Sequence, residues 1–325
     1  MERDVFQAWL AEADGLTARQ REEAARVLAE PASLGAVLAL LEARIDETRR
    51  CPHCAVEGAV VRGRSNGLKR YLCKGCSKTF NALTGTPLAR LRKKEAWAAF
   101  AAGLGEGDTV KGAAERCGVA GTTSFRWRHR FLAAIKGGSI KLKGIVEADE
   151  TYVLTSRKGA RKLDRKPRKR GGVAQKRGLS KEQVPILVAA DRSGTTLTAV
   201  LPDTTAAAIR DRLEAAIEPD ALLVTDGAPF FPPCARALGL THEPLDHKAG
   251  ERRRGDLHIN TVNSRHERLK TFLRARRGIA TKYLGSYLAW YHLAILPKLP
   301  TPRSVLASVA GLTPVGQPVC MANAN

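Results

Sequence analysis

Apolar residues recur at helical spacing over the first 49 positions. Val5, Trp9 and Leu10 form one cluster, and Ala25, Val27 and Leu28 a second after a break at Leu16-Thr17. Leu34, Val37, Leu38, Leu41 and Ile45 form a third. Thr17 and Gln20 stand at the spacing of a capping box. This predicts a small helical unit over residues 1–49, with alternating charges outside and no chemistry of its own. Over 50–82 the period shortens to two. The stretch GAVVRGRSNGLKRYLCKGC alternates as short hairpin strands, with Asn66-Gly67 as the turn. Over 83–138 the pattern is helical again. Leu88, Leu91, Trp97 and Phe100 mark a first helix closed by Gly103, Gly105 and Gly107. Residues 109–116 predict a short second helix, 117–120 a turn, and 122–132 a third helix in which Phe125, Trp127 and Phe131 are core.

From 139 to 300 strands and helices mix. Residues 144–153, GIVEADETYV, read as a buried strand, and 184–190 and 195–201 as two more joined by a hairpin turn at 191–194. Asp203 then caps a helix through Ala206, Ile209, Leu213 and Ile217. Residues 221–224 are a strand, 239–245 another, and 260–276 a helix. The order β-β-β-α-β-α-β-α is that of an RNase H-like fold with a mixed sheet, in which the first and fourth strands lie side by side. Residues 301–325 are left as a C-terminal tail.

Charge narrows the partners. Lys and Arg number 54 against 32 Asp and Glu, a formal net charge of +22. Such a field concentrates polyanions, and nucleic acid is the first partner it suggests. Anionic membrane is the competitor, but the sequence has no run of 18 apolar residues and no long basic amphipathic helix. The N-terminus lacks the basic start and apolar stretch of a signal peptide, which predicts a cytoplasmic protein. Residues 155–181 hold twelve Lys or Arg and one acid, Asp164, around Gly171-Gly172. They predict a flexible basic insertion that orders on a polyanion.

Cysteines give the strongest local signal. Cys51 and Cys54, then 18 residues, then Cys73 and Cys76 form two C-x-x-C knuckles. That spacing suits four thiolates on Zn2+ in a zinc ribbon, a structural site because no coordination position is left for water. His53 lies inside a knuckle as an outer or exposed residue. The paired helices that follow, with small Ala113 and Ala114 and a turn glycine at Gly118, have the ingredients of a helix-turn-helix, against the alternative of a plain helical bundle. In that reading Thr122, Thr123, Ser124 and Arg126 face the major groove, and Arg128 and Arg130 lie near phosphates.

Acids supply the candidate chemistry. The strand at 144–153 carries Glu147, Asp149 and Glu150, costly in a core unless paired or bound to a cation. Alternation puts Glu147 and Asp149 on one face and Glu150 on the other. The strand at 221–224 runs into Thr225-Asp226-Gly227, placing a second aspartate at a strand tip. Two aspartates at neighbouring strand ends in so basic a chain suggest a Mg2+ site for phosphodiester chemistry. The plainer alternative makes Asp226 a turn residue and Asp149 the partner of an arginine. On the helix at 260–276, Ile259, Val262, His266, Leu269 and Leu273 form the core face, while Asn263, Glu267, Lys270 and Arg274 share another. Asn263 and Lys270 stand two turns apart and can point into one cleft. Asn263 and Glu267 compete as the third ligand.

The chain resembles the bacterial insertion-sequence transposases of the DDE superfamily, in the group with an N-terminal zinc ribbon and an Asp-Asp-Asn-Lys site. The resemblance rests on CPHC and CKGC, LTGTPLARLRKKEAW, AAERCGVAGTTSFRWRHRFL, EADETYV, TDG, HINTVNSRHERLK and GIATKYLGSYLAWY. It implies Asp149, Asp226, Asn263 and Lys270 as the catalytic set, with Mg2+ or Mn2+ on the first three. It further implies binding of terminal inverted repeats by the ribbon and helix-turn-helix, 3′-end cleavage, and strand transfer into target DNA. Joining two ends implies a homodimer or higher assembly on double-stranded DNA. The rival class is a transposase-derived regulator or decayed copy that binds DNA without cutting. A nuclease or resolvase of the same fold is a third.

Overall fold

The computed structural model describes residues 34–312 apart from 136–139, 164–165, 167–171, 173, 177–179, 247–248 and 296–301, together with residues 7, 12, 15–17 and 20. The expected apolar clusters at 5–10 and 25–28 and much of the basic insertion lie outside the described residues. The capping box does form. Thr17 donates its N–H to Gln20 Oε1 at 2.9 Å, and Gln20 returns its own to Thr17 Oγ1 at 3.3 Å.

Helix α1 (Leu34–Thr48) buries Val37 and Leu41 of the predicted stripe. Next come β1 (Val60–Ser65), β2 (Leu68–Leu72) and β3 (Thr79–Phe80), a three-stranded antiparallel sheet. Asn66 and Gly67 both take positive φ, +52° and +77°, as a two-residue hairpin turn with the twist of its strands requires. Tyr71 stacks on Phe80, and its hydroxyl donates to Asp46 of α1, so the small sheet is held to the helix before it.

Three helices follow: α2 (Trp97–Glu106), α3 (Val110–Arg116) and α4 (Gly121–Ile135). The first of them starts later than the apolar pattern predicts. Pro87 and the left-handed Arg90 and Lys93 keep residues 86–93 in turns, although Leu88 and Leu91 are buried as expected. Gly103 and Gly105 lie inside α2, and only Gly107 caps it. Thr109 caps α3 by accepting the N–H of Gly112, and Gly118, at φ +57°, turns the chain into α4.

The larger sheet comprises β4 (Ile145–Leu154), β5 (Gln183–Asp191), β6 (Thr196–Val200), β7 (Leu222–Thr225) and β8 (Thr241–Pro244), in the order β6-β5-β4-β7-β8. The first three run antiparallel, whereas β4, β7 and β8 are parallel. The predicted neighbours, first and fourth strands, are thus paired. Helices α5 (Ala206–Leu213) and α6 (Phe231–Leu238) cover one face, over a core that includes Val146, Ala148, Leu187, Ala189, Leu213 and Leu223. The cap of α5 is Thr205 rather than Asp203. Thr205 Oγ1 accepts Ala208 N–H, while Asp203 holds Thr205 in place through its hydroxyl and N–H.

On the other face lie α7 (Asn260–Ala275) and α8 (Leu284–Ile295), followed in the chain by α9 (Pro302–Val309). Their core is continuous with that of the N-terminal helices, since Ile186, Val188, Val262, Leu269 and Trp290 belong to one cluster with Val37, Trp97, Phe100, Trp127 and Phe131. Helix α8 lies on α4, α2 and β6, and α9, in the stretch set aside as a tail, packs on α1, α2 and α4. Arg44 caps this arrangement by donating to the carbonyl of Gly311. Among the described residues no helix is long and apolar enough to cross a membrane.

Candidate active site and metal centre

The four ribbon cysteines converge. Their sulfurs lie within 4.8 Å of one another, with Cys51–Cys76 at 3.7 Å and Cys54–Cys73 at 3.5 Å. A tetrahedral Zn2+ with bonds of about 2.3 Å sets its sulfurs roughly 3.8 Å apart, so the cluster fits that ion closely. The Cys76 N–H, and after it the Cys54 thiol and the Gly75 N–H, outweigh burial and draw the Cys73 thiol down to about 7. His53 is exposed and contributes only its backbone N–H, to Cys51 Sγ at 3.4 Å.

The second centre lies where β7 ends beside the middle of β4. Their parallel register pairs Ile145 with Leu222, Val146 with Leu223 and Glu147 with Val224. Two residues further along each strand stand Asp149 and Asp226, on chains spaced by about 4.8 Å. Buried Thr225 steadies the end of β7 through a hydrogen bond with His242 and by accepting the Gly227 N–H. Gly227 takes φ +79°, a conformation open to glycine, as the chain bends away beneath Leu245. Asp226 Oδ1 accepts the Ala228 N–H, and Asp149 Oδ1 accepts that of Glu150.

Burial, and then the charges of Asp226 and Glu150, push the Asp149 carboxyl up to about 7, against the pull of the Glu150 N–H and of Lys270. Burial and Asp226 raise Glu150 as well, and one of its oxygens is buried without a hydrogen-bond partner. Asp149 and Glu150, both raised by burial and by the charge of Asp226, are carboxyls whose ionised form a divalent cation would favour. Among the described residues no arginine pairs with Asp149, contrary to the plainer reading; the basic side chain beside it is His266. Arginine goes instead to Glu147, whose Oε1 lies 3.0 Å from Arg192 Nη1.

Helix α7 crosses this cleft. Val262, His266, Leu269 and Phe272 are buried against the sheet, and Leu273 packs half-buried beside them. His266 was legible only as a core residue, yet its Nδ1 stands 3.8 Å from Asp149 Oδ2. Burial and the charge of Lys270 depress it to about 4, so it is a neutral imidazole there. Asn263 is exposed on the turn preceding His266, and Lys270 is half-buried, one turn beyond. Glu267 points away into solvent, between Lys270 at 3.3 Å and Arg274 at 3.8 Å. Sequence reasoning missed Glu147, His258 and Arg192 as a set. The one available signal was that Glu147 shares its strand face with Asp149.

The six DNA-facing residues predicted on α4, four toward the groove and two near phosphates, divide. Thr122 and Arg126 are exposed and Thr123 is half-buried. Ser124 is fully buried and donates to the carbonyl of Val110, so it cannot face a groove. Arg128, 3% exposed, donates to the carbonyl of Asp108 and lies over the Trp290 ring, 4.7 Å from its centroid. Arg130 is tied to the carbonyls of Pro87 and Ala89. All three are engaged by backbone carbonyls of neighbouring segments, Ser124 and Arg128 buried and Arg130 half-buried. Phe125, expected in the core, is 38% exposed beside a stack of His129 and Tyr283.

An ISXO2-like transposase domain matches residues 141–292, the sheet with α7 and most of α8. An uncharacterized protein in transposable element ISH50 of Halobacterium salinarum is 32% identical over 248 residues, covering 75% of this chain and 84% of that protein. The chain belongs to the insertion-sequence transposases of the DDE superfamily, with an ISXO2-like transposase domain. Solved structures also show partial likeness. A pre-cleavage Mos1 transpososome is 15% identical over 66% of this chain and 78% of that one, with a TM-score of 0.23. The Mos1 strand transfer complex is 16% identical over 66% and 75%, with a TM-score of 0.28. Scores so low carry no weight for the arrangement of this chain.

Proposed function

We propose that this chain binds the terminal inverted repeats of its own insertion sequence, cleaves their 3′ ends and joins them to target DNA. The observation that carries this reading is the parallel pairing of β4 with β7. It sets Asp149 and Asp226 side by side, where Asp226 helps push the Asp149 carboxyl up to about 7. A Mg2+ or Mn2+ bound there would favour the ionised form of Asp149 and would supply Lewis-acid activation of a water or a 3′-hydroxyl toward the phosphodiester. Asp149, Asp226 and Asn263 would hold it.

The chain's own part is orientation. Backbone N–H groups of Glu150 and Ala228 each occupy one oxygen of the two aspartates, which fixes how the carboxylates turn. Neutral His266 packs behind Asp149 without adding a competing charge. Asn263 offers a neutral amide oxygen, so the two aspartates carry the charge of the site. Lys270, whose charge reaches Asp149, stands where it can hold a phosphate oxygen and offset charge on the transition state. Helices α3 and α4 act as a helix-turn-helix with Thr122, Thr123 and Arg126 toward the groove, the zinc ribbon supports end recognition, and the basic insertion grips DNA backbone. A homodimer or higher assembly brings two ends together.

The test is to incubate the protein with a terminal-repeat duplex and Mg2+ or Mn2+ and to sequence the products. Joined strands are expected. Simple cuts alone would indicate a nuclease, and bound intact DNA a regulator. Asp149→Ala and Asp226→Ala should each abolish cleavage while leaving end binding in place.

A further inference from the structure

We infer that Glu147 is a positioning residue: it pins the first turn of α7 to β4 and thereby sets where Asn263 stands relative to Asp149. Glu147 is fully buried, on the strand face it shares with Asp149 two residues on. Its Oε2 accepts the N–H of Val262 at 2.9 Å. Val262 is the third residue of α7, and its N–H is one of the first-turn donors that a helix cannot satisfy internally. Ile259, at the cap position, supplies no side-chain acceptor. A carboxylate from a different element fills that role, at the helix end where the dipole favours negative charge. The next residue along is Asn263.

The other oxygen shows how a buried charge is tolerated here. Glu147 Oε1 is paired by charge with Arg192 Nη1 at 3.0 Å and accepts no hydrogen bond among the described residues, while His258 Nδ1, 3.3 Å away, is turned to the Asn260 N–H, which it accepts. Arg192 comes from the β5–β6 turn, and its guanidinium also donates to the carbonyl of Asp256 at 3.1 Å and contacts His258 Nε2 at 2.7 Å. One carboxylate therefore gathers the turn beyond β5, the approach to α7 and the first turn of α7 onto β4. Apolar packing through Val262, Leu269 and Phe272 decides which face of the helix meets the sheet. Such contacts are non-directional and resist sliding along the helix axis only weakly. A hydrogen bond of fixed length at the N-terminus resists it directly. Without it, Asn263 and Lys270 shift together relative to the aspartates.

This inference rests on the reading that Asp149 and Asn263 share a divalent cation, and the experiment separates the two. Mn2+ binding to the full-length zinc-loaded protein on a terminal-repeat duplex is followed by the loss of the free-Mn2+ electron paramagnetic resonance signal. Wild type is compared with Asp149→Ala, Glu147→Gln and Glu147→Asp, the last keeping the charge but one methylene short of Val262. Zinc content, thermal unfolding and end binding are recorded for each. In both Glu147 variants the Mn2+ dissociation constant should rise about tenfold, the lower end of what supporting contacts to metal ligands contribute, with end binding and zinc content unchanged. Loss of stability alone would lower the folded fraction without weakening Mn2+ in the molecules that remain folded. A Mn2+ affinity within twofold of wild type in either folded variant overturns the inference, and so does failure of both variants to fold. Equal Mn2+ binding by wild type and Asp149→Ala brings down the metal-site reading itself, and this inference with it.

Discussion

Trp290, on α8, donates its indole N–H to the carbonyl of Leu104, on α2, at 2.8 Å. The guanidinium groups of Arg128 and Arg276 lie over the same ring, at 4.7 and 4.5 Å from its centroid. A helix of the transposase domain is thus bonded into the core of the N-terminal helices, and α4 and the aspartates sit on one continuous core. Trp290→Ala should cost about 3–5 kcal/mol, as large-to-small changes at fully buried aromatic sites do. Calorimetry should show the α2–α4 helices and the sheet melting together, at a lower temperature. Two separated transitions in wild type would contradict the shared core.

The third ligand is decided by comparing Asn263 with Glu267. Glu267 is taken up by Lys270 and Arg274 on the solvent side of α7. Asn263→Asp should retain or raise cleavage in Mg2+, and Asn263→Ala should reduce it by ten- to a hundredfold, the usual scale for a lost metal contact. Glu267→Ala should stay within a few-fold of wild type. The opposite ranking on a product gel transfers the role to Glu267.

Zinc in the ribbon predicts a stoichiometry. Atomic absorption should find one Zn2+ per chain, and chelation should expose Cys51, Cys54, Cys73 and Cys76 to a thiol reagent together. Cys73→Ser should release the ion and unfold the small sheet. The hydrogen bonds of Asp46 with Lys69 and Tyr71 should not hold that sheet on α1 without the metal.

The arginines of α4 should separate cleanly by phenotype. Arg126→Ala leaves the fold intact and should flatten the salt dependence of end binding by about one counterion. Arg128→Ala removes a buried guanidinium that serves Asp108 and Trp290. It should lower the melting temperature and affect DNA binding only through folding. A competition assay across salt, paired with a melt, distinguishes the two.

Acid should loosen the dock of α8 on the sheet. Burial depresses His292 to about 4 from its usual 6.5, and Thr198 Oγ1 shares a hydrogen bond with its Nε2 at 2.9 Å. A histidine held neutral in the fold but free to protonate when unfolded leaves stability intact above pH 6.5 and removes it progressively from there down to about 4. The full loss is on the order of 3 kcal/mol. Melting curves between about pH 7.5 and about pH 4, a range that covers that window, should therefore fall more steeply for wild type than for His292→Asn. Parallel curves would assign the acid sensitivity elsewhere.

The sequence by itself determined what depends on local spacing. Two C-x-x-C pairs place four sulfurs around one point because each knuckle is a closed turn. Asn66-Gly67 made its hairpin because both positions need positive φ. The strand-and-helix order was enough to pair β4 with β7, and with that to set Asp149 beside Asp226. Only the tertiary structure decided matters that depend on which distant residue fills a buried space. Ser124 looked like a groove reader and Arg128 like a phosphate contact, since a polar residue on a helix gives no sign of being buried until a carbonyl of another segment meets it. Residues 302–309 showed no place in the chain order, yet they close the helical core. Glu147 declared itself costly in a strand, but its relief came from the charge of Arg192 and the N–H of Val262. A carboxylate's partners lie in space, and periodicity along one strand holds no record of them.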